Sequence, residues 1–94
     1  MKQAHVIISG FVQGVGFRQF VKHNASRLSI TGWVQNTKDG NVEAVFQSSK
    51  QADIEMIIAF CHKGPFLSEV KNVVVTWEQG NEQFTEFVTR VSDY

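Results

Sequence analysis

The sequence predicts an α+β fold in which two helices cover one face of an antiparallel sheet. Two stretches, Phe17 to Leu28 and Ile54 to Cys61, have apolar residues at helical spacing. The stretches before, between and after them are rich in β-branched residues or alternate apolar with polar residues, as strands do. The resulting order is β-α-β-β-α-β with a short extra C-terminal strand. With 94 residues, we expect a single domain over positions 1–94.

The first strand is predicted from His5 to Val12. Within it Val6, Ile7 and Ile8 follow one another directly. Such an apolar run is typical of a strand that is well covered on at least one face. We therefore expect this strand to be central in the sheet.

The first helix is predicted from Phe17 to Leu28. Its apolar residues share one face and are Phe17, Phe20, Val21, Ala25 and Leu28. Lys22 and His23 lie on other faces, more than one turn beyond Arg18. We expect both to face solvent and to make no contact with a ligand.

A hairpin is predicted after this helix. Its first strand runs from Ser29 to Thr37, and the turn Thr37-Lys38-Asp39-Gly40 leads into an antiparallel strand from Asn41 to Gln47. Asn36 ends the first of these strands on its apolar side. An amide at the rim of a core face is either a turn former or a positioned functional group, and the pattern alone leaves both open.

The second helix is predicted to begin at Ser48 as its N-cap, with Gln51 at the capping-box position. Its buried stripe consists of Ile54, Ile57, Ile58 and Cys61. The sequence His62-Lys63-Gly64-Pro65 ends it with basic groups, a glycine C-cap and a proline. Cys61 is the only cysteine, and at this spacing we expect a small core residue rather than a nucleophile.

Two further strands complete the sheet. Lys71 to Glu78 is rich in β-branched residues, which predicts a buried strand, and Phe84 to Val91 is predicted as the short last strand. Right-handed crossovers in this order place both helices on the same face of the sheet. The predicted architecture is therefore a ferredoxin-like sandwich.

A loop with three glycines, Gly10, Gly14 and Gly16, joins the first strand to the first helix and runs on to Arg18. Glycine permits positive φ and close approach of a ligand, so successive main-chain N–H groups can converge on one anion. The helix N-terminus would point its N–H groups at the same place. The positive charge of Arg18 is unfavourable at the positive end of the helix dipole. A phosphate or carboxylate ligand would explain why an arginine stands there. The other interpretation is an ordinary tight turn beside a surface arginine.

Several functional classes are disfavoured by the residues. The third glycine of a dinucleotide fingerprint is replaced by Gln19, and no Gly-Lys-Ser/Thr tripeptide of a Walker loop occurs. No His, Cys and Asp cluster has the spacing of metal ligands, so no metal is expected. The net charge of zero argues against nucleic-acid binding. The charges are unevenly divided, however: residues 1–47 carry five Lys/Arg and two acids (+3), and residues 48–94 carry four Lys/Arg and seven acids (−3). The half with the glycine loop is thus the positive half.

Two motifs together resemble the acylphosphatase family. The first is Gly-x-Val-Gln-Gly-Val-x-Phe-Arg, at Gly10 to Arg18. The second is Gly-aromatic-Val-x-Asn, at Gly32 to Asn36. Length and element order agree over almost the whole chain, most clearly from Val6 to Phe46. The resemblance also implies a sheet order of 4-1-3-2.

What the resemblance implies for function is hydrolysis of small acyl phosphates without cofactor or metal. Arg18 and Asn36 would be the catalytic residues, with Asn36 orienting the attacking water. The phosphoryl group would be held by Gln13, Gly14, Val15, Gly16, Phe17 and Arg18. We expect inorganic phosphate or sulfate to act as a ligand. Since no signal region and no apolar run of membrane length occurs, we expect a cytoplasmic protein that does not bind a membrane. We also expect a monomer that binds no nucleic acid.

The alternative is a non-catalytic binding module on the same fold, because fold alone does not decide function. An RNA-recognition sheet would carry a Lys/Arg-Gly-aromatic run on its third strand, and Asn41 to Gln47 has none. A regulatory anion sensor could use the same glycine loop and arginine without turnover. Release of phosphate from a model acyl phosphate distinguishes the enzyme from the sensor.

Overall fold

The helices and strands follow the predicted order in the computed structural model, which describes residues 1–91. The helices are α1 (Phe17–Arg27) and α2 (Gln51–Lys63). The strands are β1 (Lys2–Phe11), β2 (Thr31–Asn36), β3 (Val42–Ser48), β4 (Glu69–Gln79) and β5 (Phe87–Thr89). No helix within residues 1–91 is both long enough and apolar enough to cross a membrane.

The five strands form one sheet in the order β4-β1-β3-β2-β5. β1 lies between β3 and β4 and is antiparallel to both, and β2 is antiparallel to β3. The central position of the first strand and the order 4-1-3-2 are therefore confirmed. β5 pairs with β2 in parallel, so the sheet is mixed rather than antiparallel throughout. Between β4 and β5 the chain crosses from one edge of the sheet to the other.

The core lies between the sheet and the two helices. On β1 every second residue, Ala4, Val6 and Ile8, has 0% of its surface exposed, so these side chains point at the helices. The helices contribute buried residues that include Phe17, Val21, Ala25, Ile54, Ile57 and Cys61. The expected two-layer sandwich with a buried Cys61 is confirmed.

β4 and β5 differ from their predictions. The expectation that β4 is buried is wrong, because β4 is an edge strand and Val74 keeps 50% of its surface exposed. A β-branched composition suits any pleated, half-covered surface and does not distinguish an edge strand from a central one. β5 is shorter than the predicted Phe84 to Val91. It is held to the core by Phe87, whose ring stacks on Phe46 with 5.9 Å between centroids.

The predicted start of α2 is also wrong. Ser48 is the last residue of β3, and the N-cap is Lys50, which makes no side-chain capping hydrogen bond. Ser48 Oγ instead accepts a hydrogen bond from the Lys50 main-chain N–H at 3.1 Å. The predicted end is confirmed, since Gly64 is the C-cap and its N–H donates to the Phe60 carbonyl at 2.8 Å.

Candidate active site

The glycine loop occupies the turn between β1 and α1. Gly14 and Gly16 have φ angles of 75° and 79°, in the left-handed region that residues with a Cβ rarely adopt. A Cβ on either glycine would meet no atom within 4 Å, so the loop borders open space. Gly16 is the N-cap of α1, and its carbonyl accepts the Phe20 N–H at 3.0 Å. The two glycines thus allow the chain to pass from strand to helix around an accessible main chain.

The main chain of this loop presents hydrogen-bond donors. Within residues 1–91, the N–H groups of Gly14, Val15 and Gly16 donate to no protein acceptor. The first turn of α1 contains no acidic residue and does contain Arg18. Unpaired N–H groups, the positive end of a helix and a guanidinium all favour an anion at the same point.

Gln13 fastens the loop to the neighbouring hairpin. Its Nε2 donates to the carbonyl oxygens of Thr37 and Asn41, each at 2.8 Å. These two residues flank the turn between β2 and β3. The side chain of Gln13 therefore positions the loop beside the end of β2. From the sequence we predicted only a main-chain role for Gln13, and these side-chain contacts to the hairpin were not predicted.

Asn36 is the last residue of β2 and is partly buried. It pairs with Val42 of β3 and follows Val34 on the helix-facing side of the sheet. Asn36 and Arg18 line the same cavity. The structure therefore brings together the two side chains that the motifs singled out.

This cavity has a volume of about 670 Å³. Its lining residues are Val12, Gly14, Gly16, Phe17, Arg18, Gln19, Lys22, His23, Ser26, Asn36 and Thr89. Among residues 1–91 no Asp or Glu belongs to this lining. Gln13 and Val15 do not line the cavity, since Gln13 contacts the hairpin and Val15 packs against the core. The structure thus gathers four of the six predicted phosphate-binding residues around one space.

The cavity lining also includes two helix residues to which the sequence analysis gave no role at the site. Lys22 and His23 are exposed, as predicted, but they line the cavity. Lys22 lies four residues after Arg18, and residues at that spacing share a helix face. The four-residue spacing between Arg18 and Lys22 could therefore have indicated that both side chains lie beside the same cavity. Thr89, in contrast, reaches the cavity only because β5 pairs with β2, and no local pattern indicates that.

His5 belongs to a separate polar group on the side of the sheet opposite the helices. Its Nε2 is 2.6 Å from Glu43 Oε2, and Glu43 Oε1 accepts a hydrogen bond from Gln35 Nε2 at 2.8 Å. His5 lies between the helix-facing Ala4 and Val6, so it points away from the cavity. In the part of the chain that the structure describes, no three His, Cys, Asp or Glu side chains are grouped closely enough to hold a metal ion.

Comparison with known proteins agrees with the geometry. A family model described as Acylphosphatase matches residues 4–89. An acylphosphatase of Pelotomaculum thermopropionicum is 41% identical over 85 residues, covering 90% of this chain and 91% of the relative. One of Chloroflexus aurantiacus is 44% identical over 77 residues, covering 82% of this chain and 83% of the relative. The crystal structure of acylphosphatase from Bacillus subtilis superposes with a TM-score of 0.92 at 32% identity, covering 96% of this chain and 99% of that one. The resemblance of the two motifs is thereby confirmed, and the chain belongs to the acylphosphatase family.

Proposed function

We propose that this protein is an acylphosphatase that hydrolyses the carboxyl-phosphate bond of small acyl phosphates, giving a carboxylate and phosphate without a metal ion. The observation that carries the proposal is the shared cavity of Arg18, Asn36 and the glycine loop, whose lining within residues 1–91 includes no carboxylate. A dianionic phosphoryl group placed there would contact hydrogen-bond donors and the Arg18 cation, and no carboxylate of the lining would repel it. The names of the relatives point to the same reaction.

The phosphoryl group is held by the loop from Gln13 to Phe17 and by Arg18. The main-chain N–H groups bind its oxygens, and the planar guanidinium of Arg18 binds two oxygens side by side. We expect these donors to be preorganised for the ligand, because Gly14 and Gly16 set the loop backbone and the Gln13 side chain anchors it. Preorganised donors of this kind stabilise charge on the equatorial oxygens of a phosphoryl transition state.

Asn36 orients the attacking water through its side-chain amide. The water oxygen forms a bond to phosphorus while the bond from phosphorus to the carboxyl oxygen breaks. The carboxylate leaves with the bonding electron pair, and the water proton passes to a phosphoryl oxygen or to solvent. Asn36 does not itself act as a base, because an amide is not basic near neutral pH. Its contribution is positioning.

A metal ion is not required by this mechanism. The leaving carboxylate is stable as an anion and needs little acid assistance, while Arg18 and the loop neutralise the phosphoryl charge. We therefore expect turnover to survive exhaustive treatment with a chelator. Loss of turnover on chelation, restored by a divalent ion, would contradict the mechanism.

Inorganic phosphate and sulfate are the expected ligands of the same loop, because the cavity recognises the phosphoryl group. The proposed mechanism needs no residue from a second chain, and we propose that the protein acts as a monomer. The single cysteine, Cys61, is a buried free thiol and suits a reducing cytoplasm. A net charge of zero fits a small-molecule substrate better than nucleic acid or an anionic membrane.

The decisive experiment is incubation with acetyl phosphate, with release of inorganic phosphate as the readout. Catalysed release supports the enzyme, whereas saturable binding without release identifies an anion sensor and overturns the proposal. In parallel, phosphate at about 100 times its Kd should stabilise the fold by about 2.7 kcal/mol through mass action. An unchanged melting temperature in saturating phosphate, at constant ionic strength, would contradict the proposed binding loop.

A further inference from the structure

The cavity continues beyond the glycine loop along the exposed side of α1. Besides Arg18, its lining includes Lys22 and Ser26, which follow at intervals of four residues. Residues at this spacing lie one above another on a helix. With a rise of about 1.5 Å per residue, Lys22 lies about 6 Å further along the helix axis than Arg18. The cavity therefore has a second cationic residue, about one helical turn beyond the first.

This second position is not neutralised by a neighbour. No carboxylate within residues 1–91 lies within 4.0 Å of the Lys22 ammonium group. Glu86 borders a smaller depression that Lys22 also lines, but the two form no ion pair. Nor does Lys22 make a side-chain hydrogen bond to any of the described residues. Its charge is thus available to a molecule that enters the cavity.

The phosphoryl group uses only part of this space. Arg18, Asn36 and the glycine loop are the lining residues assigned to the phosphoryl group, while Lys22, His23 and Ser26, further along α1, have no part in the proposed chemistry. A volume of about 670 Å³ is within the range of pockets that hold whole small molecules, roughly 300–1,000 Å³. The part of the cavity beside Lys22 and Ser26 is where the acyl portion of a bound substrate would lie.

We propose that Lys22 is a specificity-determining residue that favours acyl phosphates whose acyl portion carries a second anionic group, such as a carboxylate. The inference rests on the proposed acylphosphatase function and extends it to the class of substrate. A flexible ammonium group suits a single negative charge whose position varies among substrates. In a four-carbon dicarboxylic monoacyl phosphate a short flexible chain joins the free carboxylate to the phosphoryl end, which would let the carboxylate contact Lys22, about one helical turn beyond Arg18.

The test compares succinyl phosphate, which carries a free carboxylate, with acetyl phosphate, which does not. The ratio of their kcat/KM values is measured for wild type and for each variant. The different intrinsic reactivities of the two substrates cancel when these ratios are compared between proteins. Lys22→Met should lower this ratio by about two- to fivefold, as for a solvent-exposed ion pair. Lys22→Glu should lower it further, and Lys22→Arg should retain it. The preference should also diminish as salt is added.

The matched control is Lys50→Met, which removes the same charge from an exposed lysine beside the end of β3. The end of β3 pairs with the start of β1, at the opposite end of β1 from the glycine loop. Lys50→Met should therefore leave the ratio unchanged. Lys22 is exposed, so its replacement should not prevent folding, and circular dichroism of each variant verifies this.

The outcomes separate this inference from the proposed function. If wild type hydrolyses acetyl phosphate but Lys22→Met changes both substrates equally, or neither, the inference is overturned and the enzyme assignment stands. If wild type hydrolyses neither substrate, the proposed function fails and the inference fails with it. A selective loss with succinyl phosphate that is confined to Lys22 variants supports the second anion position.

Discussion

The guanidinium of Arg18 donates a hydrogen bond to the main-chain carbonyl oxygen of Arg90, with 3.5 Å between Nη1 and the oxygen. Arg90 is held in turn by β2, since its N–H donates to the Val34 carbonyl at 2.8 Å and its guanidinium lies 4.1 Å from the centroid of Trp33. Arg18, in the first turn of α1, is therefore oriented by the residue that directly follows β5. A hydrogen bond of this length is weak, so it guides Arg18 without competing strongly with a phosphoryl group.

Replacing Arg18 with Gln should weaken both phosphate binding and turnover. The guanidinium contacts phosphoryl oxygens in the bound substrate and in the transition state. Charge-assisted hydrogen bonds contribute about 1.5–3 kcal/mol each, which corresponds to a loss of phosphate affinity of at least about tenfold. Calorimetric titration with phosphate measures the loss. Arg27→Gln, in the last turn of the same helix, is the control and should bind normally. Unchanged phosphate affinity in Arg18→Gln would refute the assignment.

Replacing Asn36 with Ala should abolish turnover while phosphate affinity stays within a few-fold of wild type. The proposed partner of Asn36 is the attacking water, so its loss raises the barrier rather than weakening the bound ligand. Steady-state kinetics with acetyl phosphate and a phosphate inhibition constant give the two values. Since Asn36 adjoins the hairpin turn, unfolding in urea must first show an intact fold. A folded variant with normal turnover excludes the proposed role, and one that loses phosphate affinity as severely as Arg18→Gln places Asn36 in the binding loop instead.

Replacing Gln13 with Ala should destabilise the protein and slow catalysis together. Two hydrogen bonds to the hairpin are lost, at about 0.5–1.5 kcal/mol each, so the free energy of unfolding should fall by about 1–3 kcal/mol. The loop would also lose its fixed position relative to Asn36, and kcat/KM should decrease. Urea denaturation and acetyl phosphate kinetics measure the two effects. Gln79→Ala, at the exposed end of β4, should change neither. A Gln13→Ala variant as stable as wild type would show that these contacts contribute nothing.

The thiol of Cys61 should make the fold sensitive to alkaline pH. Burial raises the pKa of this thiol from its ordinary value of 9.0 to about 12. Between these values the folded state keeps a proton that the unfolded state releases, so the free energy of unfolding falls as pH rises. Cys61→Ala should be less stable near neutral pH because of the cavity it leaves, but its stability should decline less steeply from pH 9 upward. If the free energy of unfolding decreased equally steeply above pH 9 in both proteins, the raised pKa of the Cys61 thiol would be contradicted.

Much of the fold could be predicted from the residues alone. Helical spacing identified α1 and α2, and alternation or β-branched runs identified the strands, because each of these patterns reflects which side of an element is covered. The same patterns failed at Ser48 and at β4. Local propensity cannot show whether a serine ends a strand or caps a helix, nor whether a strand has a neighbour on both sides.

The sequence by itself determined the chemical groups of the candidate site. Its two motifs supplied the glycine loop, Arg18 and Asn36, because positive φ, a planar cation and an amide are properties of single residues. Only the tertiary structure decided which other residues join them. Thr89 and Arg90 reach the site through the parallel pairing of β5 with β2, and Gln13 fastens the loop by contacts to the hairpin. Pairing between segments far apart in the chain depends on the packing of the whole sheet and leaves no local pattern to read.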